Sequence, residues 1–413
     1  MKKRDYLHHK SSSRAFYLMK ILVISFIIAI MFYLLLFSFG STKNDITNQL
    51  TLEDNKTNSS IEVEKTEEIK NTKIEYDYSN ILKDAIECVG SNSNTDIFMS
   101  KSFEERKYHT KWINDEIQKI IPKKMSHHCW SGFCGPWLED IWNKMENEDF
   151  HIFGPFIPLF VPWSQMWITN SSLYITWRDK IIELLQIDYF YITLSSNSAG
   201  IEGRDEQRRI LPDNLLIISS GGRGHIPILM FMKELSPNDY PINENYEYDL
   251  MFVGTYRYKI RQYIIANYSK MLGKKFKYLN KYTNFRIQYD QAKFVCAPRG
   301  YGRSSYRLSE ILQTGRVPVY VYNDIIWLPY YNSINWSDFS IITNVSRLNE
   351  TIDQIKNTPV SEITQMRRKI KSMYYTHFSI DGTFKHIKSF LLYGFSKSDL
   401  RCAKRSYVAG ITD

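Results

Sequence analysis

Short, nearly all-apolar runs recur along this chain, spaced so that a helix fits between most of them. They read DYFYITL (188–194), NLLIISS (214–220), DLMFVGT (249–255), KFVCAP (293–298), VPVYVY (317–322) and FSIIT (339–343), with DIFMS (96–100) well ahead of the rest. A strand that is apolar on both sides must be covered on both sides, as parallel strands between helix layers are. Helical patterns fill the gaps at 259–272, after Gly254, at 304–313, after a glycine-containing turn, and at 361–377. The alternation predicts an α/β fold built on open parallel sheets. HIFGPFIPLFVPW (151–163) holds three prolines, which remove ladder donors, so it cannot be a regular central strand throughout. SPNDYPINENYEY (236–248) is polar, holds two prolines and divides the chain near its middle, which sets a boundary between two lobes there.

The second constraint is ILVISFIIAIMFYLLLFSFG (21–40), twenty residues without a charge. As a helix it spans the ~30 Å of a bilayer core. Six basic residues and one acidic residue lie before residue 21, so +4 of the net charge of +9 belongs to the rest. A basic flank stays on the cytoplasmic side, so the expectation is a type II topology. Residues 1–20 form the cytoplasmic tail, 21–40 the transmembrane anchor and 41–80 a stem. The stem is polar, and 42–79 lacks proline and glycine. The apolar run is longer than that of a cleaved signal peptide. Seven Asn-x-Ser/Thr sequons, at Asn55, Asn58, Asn170, Asn267, Asn335, Asn344 and Asn349, suit a lumenal body.

A mildly basic body suits an anionic partner such as a nucleotide diphosphate or an acidic glycan. It holds no zinc-finger spacing and no long basic block, so nucleic acid is not an expected partner. Of the five cysteines, Cys129 and Cys134 in HHCWSGFCGPW are close enough to close a small loop. His127 and His128 beside them match no standard zinc spacing. Cys296 lies in a predicted buried strand, as a packed thiol, and connectivity involving Cys88 and Cys402 stays open.

The segment that carries chemistry is KFVCAPRGYGRSSYRLSEILQTGRVPVYVYNDIIWLPY (293–330). It reads as strand, turn, helix, glycine stop and strand. Open α/β sheets bind ligands at the carboxyl ends of their strands, where Arg299, Gly300 and Gly302 fall. Ser304 or Ser305 can cap the helix, whose N-terminus suits a diphosphate. Arg299, Arg303 and Arg307 add bidentate donors. Glu310 lies one turn beyond Arg307 on the same face, placed either to accept from ribose hydroxyls or to form a plain surface ion pair.

This stretch resembles the exostosin family of glycosyltransferases. The resemblance rests on Cys296-Ala297-Pro298-Arg299-Gly300, Arg307-Leu308-Ser309-Glu310, Gly315-Arg316-Val317-Pro318-Val319, Asn323-Asp324 and Leu328-Pro329-Tyr330, with Trp336 following. It is dense over about forty residues and weaker from 85 to 385, where NLLIISSGGRGH (214–225) and FGPFIPLFVP (153–162) look like further family segments. The family implies a GT-B arrangement of two Rossmann-like lobes with a cleft between them. The acceptor-side lobe would occupy 81–240, the nucleotide-sugar lobe 241–385, and a C-terminal tail 386–413. By the same resemblance Arg299, Gly300, Ser304, Ser305 and Arg307 would contact the diphosphate of a nucleotide-sugar donor, expected to be a UDP-sugar, and Glu310 its ribose.

No Asp-x-Asp pair occurs in the chain, so an obligatory metal is not expected. The resemblance further implies a glycan or glycoprotein acceptor, a Golgi membrane location with a lumenal catalytic domain, and homo- or hetero-oligomers with another transferase. An inverting reaction needs a base, for which His225, Glu202 and Asp205 are candidates in the loops after 194 and 219. Two readings stay open beside the UDP-sugar transferase. One is a GT-B enzyme using a GDP-sugar, and the other is a catalytically inactive membrane-anchored partner or lectin. The sequence has neither a Gly-x-Ser-x-Gly elbow nor a His-Glu-x-x-His motif, which counts against a lumenal hydrolase.

Overall fold

Two sheets form, and every strand pair in them is parallel. The computed structural model describes residues 78–403, apart from 92, 126–134, 136, 199, 203–210, 232, 243 and 281–284. The chain divides into Met1–Ile74, which lies outside the described residues, and Glu75–Asp413, to which everything below belongs. The expected tail, the apolar run 21–40 and the stem before residue 78 therefore lie outside the description. Among the described residues no helix is long and apolar enough to cross a membrane.

The first lobe opens with helices α1 (Ser79–Val89), α2 (Thr95–Met99), α3 (Phe103–Ile120) and α4 (Leu138–Lys144). Then come β1 (Ile157–Leu159), α5 (Trp163–Thr169), α6 (Ser171–Glu183), β2 (Tyr191–Ser195), β3 (Leu215–Ser219) and β4 (Ile226–Pro227), with sheet order β1-β2-β3-β4. The doubly apolar strands have the predicted cause. Ile192, Leu194, Leu216 and Ile218 enter one buried cluster, while their neighbours Tyr191, Leu215 and Ile217 enter a separate one. The sheet thus has a core on each face, and strand alternation sends successive side chains to different cores.

DIFMS is not a strand, contrary to the sequence reading. Asn94 caps α2 by accepting from the Asp96 N–H at 3.0 Å, and a capped turn with only Phe98 buried prevails over the β-propensity of its residues. The proline-rich run yields the three residues of β1, at the sheet edge, where Pro158 can stand. Helix α3 starts on a reciprocal cap between Ser102 and Glu105. Its His109 stacks on the Tyr189 ring at 3.7 Å and shares a 2.9 Å hydrogen bond with the Tyr191 hydroxyl.

The second lobe runs β5 (Tyr248–Val253), α7 (Lys259–Leu272), β6 (Phe276–Leu279), α8 (Phe285–Gln288), β7 (Ala292–Pro298), α9 (Tyr306–Gln313), β8 (Val317–Tyr322), β9 (Ile341–Asn344), α10 (Leu348–Asn357), α11 (Val360–Met373) and α12 (Ile380–Tyr393). Its sheet order, β6-β5-β7-β8-β9, is the doubly wound 2-1-3-4-5 pattern. The polar stretch 236–248 connects β4 to β5, and so joins the two sheets.

Helix α12 continues past residue 385, where the sequence reading begins a tail, and returns to the first lobe. Phe390 stacks on Phe156 at 5.8 Å, Lys388 pairs with Glu148 at 2.6 Å, and the Leu391 carbonyl fills the space beside Gly154. Cys402 then bonds to Cys88 of α1 across 314 residues. Cys296 is a buried free thiol, as expected of a packed strand residue, while Cys129 and Cys134 lie outside the described residues.

Candidate functional site

The strand order reverses between β5 and β7, and in doubly wound sheets the crevice outside the carboxyl ends at such a reversal is where ligands are received. Three segments wall it: the Gly254–Thr255 turn after β5, the Arg299–Ser305 turn after β7, and the start of α7. Arg261 of α7 ties them together. It donates from Nε to the Arg299 carbonyl at 3.0 Å, from Nη1 to Thr255 Oγ1 at 3.4 Å and from Nη2 to Ser305 Oγ at 3.4 Å. A Cβ on Gly300 would lie 3.2 Å from Arg261 Nη2, so this glycine leaves room for the guanidinium, while one on Gly254 would press first on the Phe252 ring at 2.9 Å. Sequence reasoning missed Arg261. It stands in an ordinary amphipathic helix 38 residues ahead of Arg299, and only the fold brings them together.

The predicted donor residues sort into two groups. Ser305 caps α9 by accepting from the Arg307 N–H at 3.2 Å, and the carbonyl of buried Ser304 accepts from the Gly300 N–H at 3.2 Å. Together they present the helix N-terminus to the crevice. Arg299 turns back on its own loop, donating to the Gly302 and Tyr301 carbonyls and to Asn323 Oδ1. Arg307 and Glu310 are buried, and α9 is covered along its length rather than presenting a solvated face. Arg307 Nη1 donates to the Tyr289 hydroxyl at 2.8 Å and to Glu310 Oε2 at 2.5 Å, while Arg286 Nη2 reaches Glu310 Oε1 at 3.2 Å. The pair is therefore a buried network, and burial pushes the Tyr289 hydroxyl above its ordinary value.

The lobes meet where the two glycine-containing loops touch. Gly302 lies against the carbonyls of Gly221 and Ser198, and Gly222 (φ +95°) lies against the Arg303 backbone. Arg303 clamps this seam, with Nη1 donating to the Gly222 carbonyl at 3.0 Å and Nε held by Asp324 Oδ2 at 2.5 Å. Trp327 Nε1 also crosses to the Ser219 carbonyl at 3.3 Å. A cavity of ≈ 430 Å³ opens at the end of β8, lined by Pro227, Tyr322, Asp324, Tyr331, Arg401 and Cys402 among others.

The candidate bases fare differently. His225 is buried and its Nδ1 accepts from the Ile217 N–H at 2.9 Å, so the ring pairs with β3. Glu202 is buried and its carbonyl accepts from Arg178. Asp205 lies outside the described residues.

A carboxylate the sequence reading passed over lies at the ends of β1 and β2 instead. Glu139 is 1% exposed, and its Oε1 accepts from Ser164 Oγ at 2.7 Å and the Ser196 N–H at 2.8 Å. Desolvation raises its pKa, against the lowering effect of these hydrogen bonds. Nothing in LEDIWNK distinguishes it from any acid in a first helical turn.

For metals, His127 and His128 fall outside the description. His377, His386 and Asp399 bring ligand atoms within 4.8 Å of one another. His386 Nδ1, however, accepts from the Asp399 N–H at 3.2 Å, which puts the neutral ring's proton on Nε2, with Asp399 Oδ2 3.9 Å away. That arrangement offers a metal no lone pair from His386, and the group reads as a hydrogen-bonded clasp on the C-terminal segment.

No family model matches the chain. Over 114 residues it is 26% identical to a probable glycosyltransferase of Arabidopsis thaliana, a match covering 28% of this chain and 22% of the relative. The chain thus aligns with about a fifth of that relative's length. Among solved structures it is similar to an alpha-glucosyltransferase in complex with UDP-glucose and DNA containing an abasic site, with TM-score 0.31 and 11% identity over 52% of this chain and 76% of that one. It is also similar to TarM, with TM-score 0.33 and 10% identity over 54% of this chain and 58% of that one.

Proposed function

We propose that this chain is a GT-B glycosyltransferase of the exostosin kind, moving a sugar from a UDP-sugar to a hydroxyl of a glycan acceptor. The observation that carries the reading is the crevice between β5 and β7, where Arg261, the glycines Gly254 and Gly300, and the capped start of α9 converge. The similarity to a probable glycosyltransferase supports it. So does the ordered run from Cys296 to Tyr330, whose Arg, Ser and Glu positions resemble the exostosin donor motif. The basic tail and the apolar run 21–40 further support a type II anchor in the Golgi membrane with this body in the lumen.

In this reading the donor diphosphate lies against the Gly300–Ser305 turn. Arg261 and the α9 N-terminus stabilise the negative charge that grows on the leaving phosphate as the sugar departs. Arg299 shapes the turn from behind, and Arg307 holds Glu310. Each Glu310 oxygen accepts one arginine donor and keeps a lone pair, with which it accepts from the ribose hydroxyls. Fixed cations and the helix terminus supply the positive charge, so a divalent metal is not required.

The test is release of nucleoside diphosphate by the full chain from a panel of UDP- and GDP-sugars, with mixed glycan acceptors and a chelator present. Turnover of one UDP-sugar supports the reading, and turnover of a GDP-sugar alone replaces the donor. No turnover and no donor binding by a folded chain would mean an inactive partner.

A further inference from the structure

A carboxylate buried without a cation is costly for a fold to keep, so one that persists calls for a reason. Asp140 and Glu139 are neighbours in the first turn of α4, yet they do different things. Asp140 Oδ2 accepts the Trp137 N–H at 2.7 Å and so serves the helix start. Glu139 turns inward and is 1% exposed. Its hydrogen-bond donors among the described residues are neutral: Ser164 Oγ at 2.7 Å, the Ser164 N–H at 3.3 Å, the Ser196 N–H at 2.8 Å and the Ser196 hydroxyl at Oε2.

Position makes this more than a packing detail. Ser164 stands shortly after β1 and Ser196 immediately after β2, so the carboxylate lies at the carboxyl ends of the first lobe's strands. Ser196 leads directly into Asn197 and Ser198, whose carbonyls press on Gly221 and Gly302 at the seam. Glu139 also lies close enough to act electrostatically on Tyr306, the first residue of α9, whose cap Ser305 borders the crevice. An acid/base group on this side would stand across the seam from the donor.

We propose that Glu139 is the proton acceptor of the transfer reaction, with the Ser196 hydroxyl as its relay. This rests on the transferase reading above. As the acceptor oxygen bonds to the anomeric carbon, the bond from that carbon to the diphosphate oxygen breaks, and the nucleoside diphosphate leaves with the electron pair. The acceptor's proton passes to Ser196 Oγ while the Ser196 proton passes to the Glu139 carboxylate, which returns it to solvent after product release. Desolvation raises the Glu139 pKa, the direction that makes a carboxylate a stronger base.

The test compares the full-length wild type with Glu139→Gln and Ser196→Ala. It measures UDP-glucose and UDP-N-acetylglucosamine binding by calorimetry, and UDP release with water and with mixed oligosaccharides as acceptors from pH 5 to 9. Glu139→Gln should lower UDP release about 100-fold, leave donor affinity within about twofold, and remove the acidic limb of the kcat/KM profile. Ser196→Ala should lower release with the acidic limb kept, and it decides the matter if Glu139→Gln does not fold. Unchanged release in a folded variant, or a fall that leaves the acidic limb of Glu139→Gln intact, overturns the assignment and makes Glu139 a structural tie. Failure of the folded wild type to release nucleoside diphosphate from any donor in the UDP- and GDP-sugar panel defeats the transferase reading itself, a separate outcome.

Discussion

Gly302 and Gly221 meet backbone to backbone across the two lobes: a Cβ built on Gly302 would stand 2.1 Å from the Gly221 carbonyl oxygen, and equally close to that of Ser198. Neither obstacle is a movable side-chain end, so any larger residue must part the loops. Gly302→Ala is therefore expected to cost about 3 kcal/mol in chemical denaturation. Gly90→Ala, with open space around its Cβ and only the left-handed backbone at φ +74° against it, should cost about 1 kcal/mol. Equal costs would mean that the seam yields freely.

The Cys88–Cys402 disulfide closes a loop of 314 residues and ties α1 to the segment beyond α12. Cross-linking so long a loop removes much unfolded-state entropy, and its loss should lower stability by about 4 kcal/mol. The double variant Cys88→Ser/Cys402→Ser should lower the urea midpoint accordingly. The wild type should migrate faster on a non-reducing gel than on a reducing one, and the double variant should not.

Acid should weaken the first lobe through His109. Burial lowers its pKa from 6.5 to about 4, so between those values the unfolded chain binds a proton that the folded chain refuses. Stability present above pH 6.5 is then lost as the pH falls toward 4, by on the order of 2 kcal/mol after allowing for partial solvent screening. His109→Gln can keep the hydrogen bond to Tyr191 and lose the titration. The difference in unfolding free energy between wild type and variant, followed from pH 7 to 4, should shrink by that amount.

Most of this architecture is legible in the chain because its strands are apolar at successive positions, and the structure covers them on both faces. DIFMS escaped the rule because five residues carry no period of their own, and the cap at Asn94 decides their state. The start of α9 was legible through Ser305, whose capping role depends only on local chain geometry. Arg261 and Glu139 were not. Their significance comes from which loops the sheet order brings beside them, and no spacing within α7 or α4 records that. The pairing of Cys88 with Cys402 was hidden for the same reason, since 314 residues separate the partners.

Arg261 offers the most direct measurement of the central claim, that the crevice between β5 and β7 binds a nucleotide diphosphate. UDP would be titrated calorimetrically into the full chain and into Arg261→Lys, with a chelator present in both. Lys keeps the charge but loses the fork that reaches the Arg299 carbonyl, Thr255 and Ser305 together. The account predicts metal-independent UDP binding by the wild type, weakened about 10- to 100-fold in Arg261→Lys, with an unchanged affinity for uridine. Absence of UDP binding by the folded wild type, or equal binding in a folded variant, would contradict it.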